Sequence, residues 1–206
     1  MSTKPQIIDV HTLQKVIGLL AFLLPIMVVL VSWILSDITG FQDSISDYYH
    51  TISRNYFVGT LCAVGVCLFA YKGYELKDNI AGDVASILLL LTAFILNDYG
   101  NDLTLNGILH LVFAGSFFGV LIYFCLVLFV KGSDQPSKQK IYRNRIYRVC
   151  GYVMIACIGT IALSFSAPAL KGMLEPFQYI FWLETVALFA FGISWLTKGE
   201  IILKDQ

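Results

Sequence analysis

Side chains able to move protons or attack a carbonyl are concentrated in Ser44-Ile45-Ser46-Asp47-Tyr48-Tyr49-His50. If this stretch leads into a following helix, Ser46 and His50 are four apart and share one face, with Asp47 on the adjacent edge. Asp98, His110 and Glu184 extend the set from distant parts of the chain. Glu184 lies roughly 8 Å inside its apolar segment at 1.5 Å per helical residue. A carboxylate at that depth costs a few kcal/mol unless it faces the bundle interior and is paired, neutralised or wetted. Two chemistries fit these groups. Asp47, Glu184 or a histidine can activate water while Ser46 or a tyrosine steadies an oxyanion. Alternatively His50, His110 and one of Asp47, Asp98 or Glu184 supply the three ligands of a catalytic zinc ion, leaving one position for water. No H-x-x-x-H or H-E-x-x-H pair occurs, so a metal site must be assembled from separate segments.

The elements that position these groups are apolar helices. Hydrophobic residues make up 57% of the 206 residues and charged ones 14%, a balance far more apolar than that of a soluble domain. About 20 helical residues cross a 30 Å hydrocarbon core. Six segments qualify: 13–36 with Pro25 inside it, 56–74, 81–97, 107–130, 149–165 and 179–197. The third has a short apolar centre, Val84 to Leu96. Trp182 and Trp195 fall where interfacial aromatics lie. The expected architecture is all-α, a single membrane domain over residues 1–206. No internal repeat is visible, so an inverted-repeat transporter finds no support.

Charge placement orients the chain. With six spans, the N-terminus, the 72–83 and 131–148 loops and the C-terminal tail share one side and carry twelve of the fourteen Lys and Arg residues. The other side keeps only Arg54 and Lys171. The basic side is cytoplasmic by the positive-inside rule, which places both termini there. The run Lys138, Lys140, Arg143, Arg145 and Arg148 serves topogenesis and could meet anionic head groups. The outward side collects Asp37, Asp43, Asp47, His50, Asp98, Asp102, His110, Glu175 and Glu184. The five cysteines all lie in apolar segments and read as small hydrophobes. Gly115 and Gly119, spaced G-x-x-x-G, are expected to permit close helix packing.

The segments S-I-S-D-Y-Y (44–49), R-N-Y-F-V-G (54–59), R-N-R-I-Y-R-V-C-G (143–151), F-W-L-E (181–184) and A-F-G-I-S-W-L-T-K-G (190–199) resemble a bacterial six-helix membrane family catalogued as domain of unknown function 998. That resemblance implies a multi-pass protein of the inner (plasma) membrane and brings no activity. The Ser46-x-x-x-His50 element is similar to one in the superfamily of alkaline ceramidases and adiponectin/progestin receptors, which implies an intramembrane zinc hydrolase. The paired histidines of that superfamily's last helix have no counterpart here, where the last helix offers Glu184.

Two readings stay open. In one, the outward cluster is a site for hydrolysis of a lipid amide or ester, with or without zinc. In the other, Glu184 and His110 line a non-enzymatic bundle that binds or moves a lipid, small solute or proton. The expected partners are membrane lipids and a lipid or small-molecule ligand, not nucleic acid.

Overall fold

The computed structural model describes residues 9–36, 40–73, 75–98, 104–132 and 137–203. Asp37 and Asp102 lie outside these. The described residues form seven α-helices and no strand: α1 Val10–Leu35, α2 Arg54–Ala70, α3 Leu76–Phe94, α4 Leu105–Tyr123, α5 Lys138–Ser166, the short α6 Pro168–Leu174 and α7 Tyr179–Lys198. A 3₁₀ turn, Ser46–His50, precedes α2, and a π-helical turn, Phe124–Leu128, prolongs α4.

Four helices are long and apolar enough to cross a membrane: Val10–Leu35, Leu105–Leu128, Lys138–Ser166 and Tyr179–Lys198. α2 is apolar but shorter. α3 opens with Lys77, Asp78 and Asp83, so only its second half is continuously apolar.

Helix ends follow local chemistry more closely than hydropathy. α3 begins in a capping box in which Glu75 and Asp78 each accept from the other's backbone N–H. Thr104 caps α4 by accepting from Gly107, and Ser137 caps α5 by accepting from Lys140. The basic run 138–148, expected in a loop, is therefore the first three turns of α5. Lys and Arg are good helix formers, so charge alone does not end a helix.

The six long helices close into a ring. α1 packs on α2, α2 on α3, α3 on α4, α4 on α5 and α5 on α7, and α7 returns to α1. The α1–α7 seam is the tightest: a Cβ added at Gly192 would lie 2.8 Å from the Gly18 carbonyl oxygen. One at Gly18 would lie 2.8 Å from the Leu196 backbone nitrogen. By contrast, Gly115 and Gly119 face open space, so they do not mediate helix packing as their spacing implied. The close approach is made by two glycines 174 positions apart on different helices, a pairing without a sequence signature.

The core is aromatic toward the end where α5 begins. Trp195, fully buried, meets Tyr71, Phe124, Phe129 and Phe191 with ring centroids 5.1–6.1 Å apart. Around the outside, Leu19, Leu30, Val66, Phe69, Ile87, Val112, Ile155 and Val186 are exposed. An apolar shell on this scale needs an apolar surrounding.

Candidate functional site

The polar end of the ring is organised by the segment 40–50, which lies across the start of α7. The Phe181 N–H donates to the Asp43 carbonyl at 2.9 Å. Two positions on, the Ile45 N–H donates to Glu184 Oε2 at 2.7 Å, and the Ser46 N–H reaches the same carboxylate. Phe41 packs against Trp33, Phe181 and Trp182. Glu184 thus supplies an acceptor to two backbone donors at the entry of a 3₁₀ turn, where no intrahelical partner exists for them.

Within the turn, Ser44 Oγ accepts from the Asp47 N–H at 3.1 Å, while the Asp47 carboxylate is held by the Ser44 N–H and hydroxyl. Ser44 and Asp47, three apart, thus bond each other reciprocally, as the two residues of a capping box do. Asn97 Nδ2 also donates to Asp47 Oδ1 at 2.6 Å. Burial raises the Asp47 pKa above the ordinary carboxylate value, with the Ser44 and Asn97 hydrogen bonds opposing it and Asp43 reinforcing it.

A 3₁₀ turn advances about 120° per residue. Ser46 and His50 therefore do not share a face, and the structure sends them to different partners. His50 is exposed and meets the Asn97 carbonyl oxygen at 3.1 Å. Ser46 Oγ lies 3.0 Å from Nε2 of His110, a buried ring on α4. The other ring nitrogen, Nδ1, lies 2.8 Å from the Ile95 carbonyl oxygen, which is free to accept because α3 ends at Phe94 and Ile95 is extended. A carbonyl only accepts, so Nδ1 carries the proton. In the neutral ring Nε2 then accepts from the Ser46 hydroxyl.

Asp98 serves the start of α4, accepting from the Thr104 N–H at 2.7 Å and from its hydroxyl. Those bonds lower its pKa below the usual carboxylate value. It presses so closely on Gly107 that any side chain there would overlap it.

A cavity of about 600 Å³ opens beside these groups. Its polar lining comes from Asp43, Ser44, Ser46, Asp47, Asn97, Asp98 and Glu184. Leu111 of α4 and Ile161 and Phe165 of α5 add apolar surface to its lining, and Lys171 and Glu175 also line it. The cavity separates α4 from α5 at this end. At the other end the same helices touch, since a Cβ on Gly151 would lie 2.5 Å from Leu126 Cδ2.

Of the six sequence-derived site residues, Ser46, Asp47, Asp98 and Glu184 reach the cavity wall, and His110 stands behind Ser46. His50 is not in the cavity lining and meets the Asn97 carbonyl oxygen. Among the described residues no three His, Cys, Asp or Glu side chains are grouped to hold a metal ion. His50, His110 and Asp98 thus do not form the ligand set drawn for zinc: one binds a carbonyl in the loop, one bridges Ser46 to Ile95, and one caps α4. Asn97 and the Ile95 carbonyl were not identified from sequence. Nothing in their residue types distinguishes them until the α3 terminus is known.

Residues 27–199 match the family of unknown function DUF7103. The chain belongs to DUF7103. The match overturns the resemblance to domain of unknown function 998, and the ceramidase and adiponectin/progestin receptor superfamily does not match either. The DUF7103 match runs from within α1 to the end of α7 and includes every residue of the cavity wall. No curated protein and no solved structure matches the chain.

Proposed function

We propose that this DUF7103 protein spans the plasma membrane six times, with both termini cytoplasmic, and binds a membrane amphiphile in the cavity between α4 and α5. The observation that carries the binding reading is a cavity lined both by acceptor-rich residues of the 43–47 and 97–98 segments and by apolar side chains of α4 and α5. A lipid fits that lining: acyl carbon against Leu111, Ile161 and Phe165, and a head group against the carboxylates and hydroxyls of the 43–47 segment. Among the described residues, the carboxylates of Asp43, Asp47, Asp98, Glu175 and Glu184 line the cavity, and Lys171 is the one Lys or Arg that does. That excess of acceptors favours a head group bearing hydroxyl or amine donors over a simple anion.

The ring of helices supports the reading of six spans. α2 has 17 residues and is roughly 26 Å long. It packs between α1 and α3, and α3 packs between α2 and α4. Each is flanked on both sides by apolar helices of the ring, which lets a short or partly charged helix cross. All basic loops then fall on one side, and the cavity opens on the other.

The test is lipid occupancy. Purified protein in nanodiscs should retain amine- or hydroxyl-headed lipid after exchange, read by native mass spectrometry. Leu111→Trp, which fills the apolar part of the lining, should lower that occupancy several-fold with the fold intact. Equal retention of lipid by the wild type and Leu111→Trp would show that the cavity is not the site.

A further inference from the structure

We propose that Ser46 is a nucleophile and His110 its general base, so that the cavity transfers or hydrolyses the acyl group of an ester lipid. The inference rests on the amphiphile reading above and deepens it to a reaction.

Three features carry it. Ser46 Oγ is 3.0 Å from His110 Nε2, within the reach a nucleophile needs of its base. His110 Nδ1 is fixed at 2.8 Å on the Ile95 carbonyl, which sets the tautomer with Nε2 as acceptor, the role a carboxylate plays in other hydroxyl–imidazole pairs. Ser46 itself lines the cavity, whereas the ring behind it is only 3% exposed. A buried histidine satisfied by two hydrogen bonds needs no further role. A hydroxyl that is bonded to such a ring and also faces a partly apolar cavity has the placement of an attacking group.

In the reaction, Ser46 Oγ attacks the ester carbonyl carbon while its proton passes to His110 Nε2. The Ile95 carbonyl steadies the imidazolium through Nδ1–H, with Asp47 and Asp98 as the negative charges acting on the ring. The tetrahedral adduct collapses with cleavage of the bond to the alcohol oxygen, which leaves with the proton from Nε2. Water then attacks the acyl–Ser46 ester, His110 takes and returns the proton, and the carboxylic acid departs. Ester and water give acid and alcohol, and no electron changes hands. The backbone N–H groups of Ile45 and Ser46 are taken by Glu184, and Asn97 Nδ2 by Asp47 and the Asp98 carbonyl, so the donors that line the cavity include Lys171 Nζ and the Gln42 and Gln178 amides.

An alkyl fluorophosphonate probe tests the pair directly on the full chain in nanodiscs. The adduct should map by peptide mass spectrometry to Ser46, be absent from heat-denatured protein and from Ser46→Ala, and form on the order of a hundredfold more slowly in His110→Asn. Folded, lipid-retaining wild type with no adduct at Ser46 overturns the inference and leaves lipid binding standing, whether or not His110→Asn folds. An adduct at Ser46 whose rate is unchanged in folded His110→Asn removes His110 as base. An adduct on a protein that holds no lipid supports the nucleophile and withdraws the amphiphile reading.

Discussion

Replacing Glu184 separates a buried charge that the bilayer merely tolerates from one that holds the site together. Without partners, a carboxylate inside an apolar helix is a cost, and its removal is neutral or stabilising. The structure reverses that expectation, because Glu184 accepts from the N–H groups of Ile45 and Ser46. Glu184→Ala leaves both donors without their acceptor, at about 1–3 kcal/mol for each buried group. The adjoining cavity lets water recover part of this, so the expected loss is about 2–3 kcal/mol. Glu184→Gln keeps an acceptor oxygen within reach of the same donors, so it is the milder change. Its expected loss is about 1 kcal/mol. For a chain of this size 1 kcal/mol moves Tm by roughly 2–4 °C, which gives a fall of roughly 4–12 °C for alanine and 2–4 °C for glutamine. Thermal unfolding in nanodiscs reads this order, and thiol reactivity of a Ser44→Cys reporter should rise in parallel as the 40–50 segment lifts from α7. An unchanged or higher Tm for Glu184→Ala, with no gain in Ser44→Cys reactivity, would refute the clamp.

Three further outcomes are expected. Gly18→Ala and Gly192→Ala should each cost about 1–3 kcal/mol through overpacking of the α1–α7 seam, whereas Gly115→Ala, facing open space, should leave thermal stability unchanged; the three melting curves decide it. A cysteine at Gly172 should react with an impermeant thiol reagent applied to intact cells, and one at Ser137 should not; the reverse pattern would invert the orientation. Asp47 binds its proton more tightly folded than unfolded, because burial raises its pKa. Its contribution to stability therefore falls as pH rises from the ordinary carboxylate value through the raised one. Asp47→Asn should remove that part of the slope of Tm against pH, and an identical slope in both proteins would contradict the assignment.

The apolar segments were legible because hydropathy averages over a whole span: each of the six matches a helix, displaced by a few residues at most ends. The exceptions have local causes. α5 starts at Lys138 rather than near residue 149, since Ser137 caps it and charged residues make good helix. α3 stops at Phe94 rather than Asn97, and that early stop exposes the Ile95 carbonyl that His110 uses. α6, with Pro168 at its start, was not anticipated. Single residues were legible where chemistry and depth conflicted, as at Glu184. Pairings were not. Ser46–His110, Ile45–Glu184 and Gly18–Gly192 join elements far apart in sequence, and their contact depends on the ring order α1-α2-α3-α4-α5-α7. The expectation of a shared Ser46–His50 face failed because the segment is a 3₁₀ turn separate from α2.

Ser46 is held from two directions, and this is why the clamp and the proposed chemistry are one device. Its backbone N–H is fixed by Glu184 of α7, and its hydroxyl by His110 of α4, which is itself fixed by the Ile95 carbonyl at the end of α3. A loop serine held only by its own turn would sample several rotamers and lose most of the advantage of proximity, since a misplacement near 1 Å can cost on the order of a hundredfold in rate. Here three helices of the ring fix it, while the neighbouring α4–α5 gap is left unfilled for a ligand. The rigidity sits on Ser46 and the open volume beside it. A flexible acyl chain can adapt to the second, but an ester carbonyl has to meet the first at a fixed place.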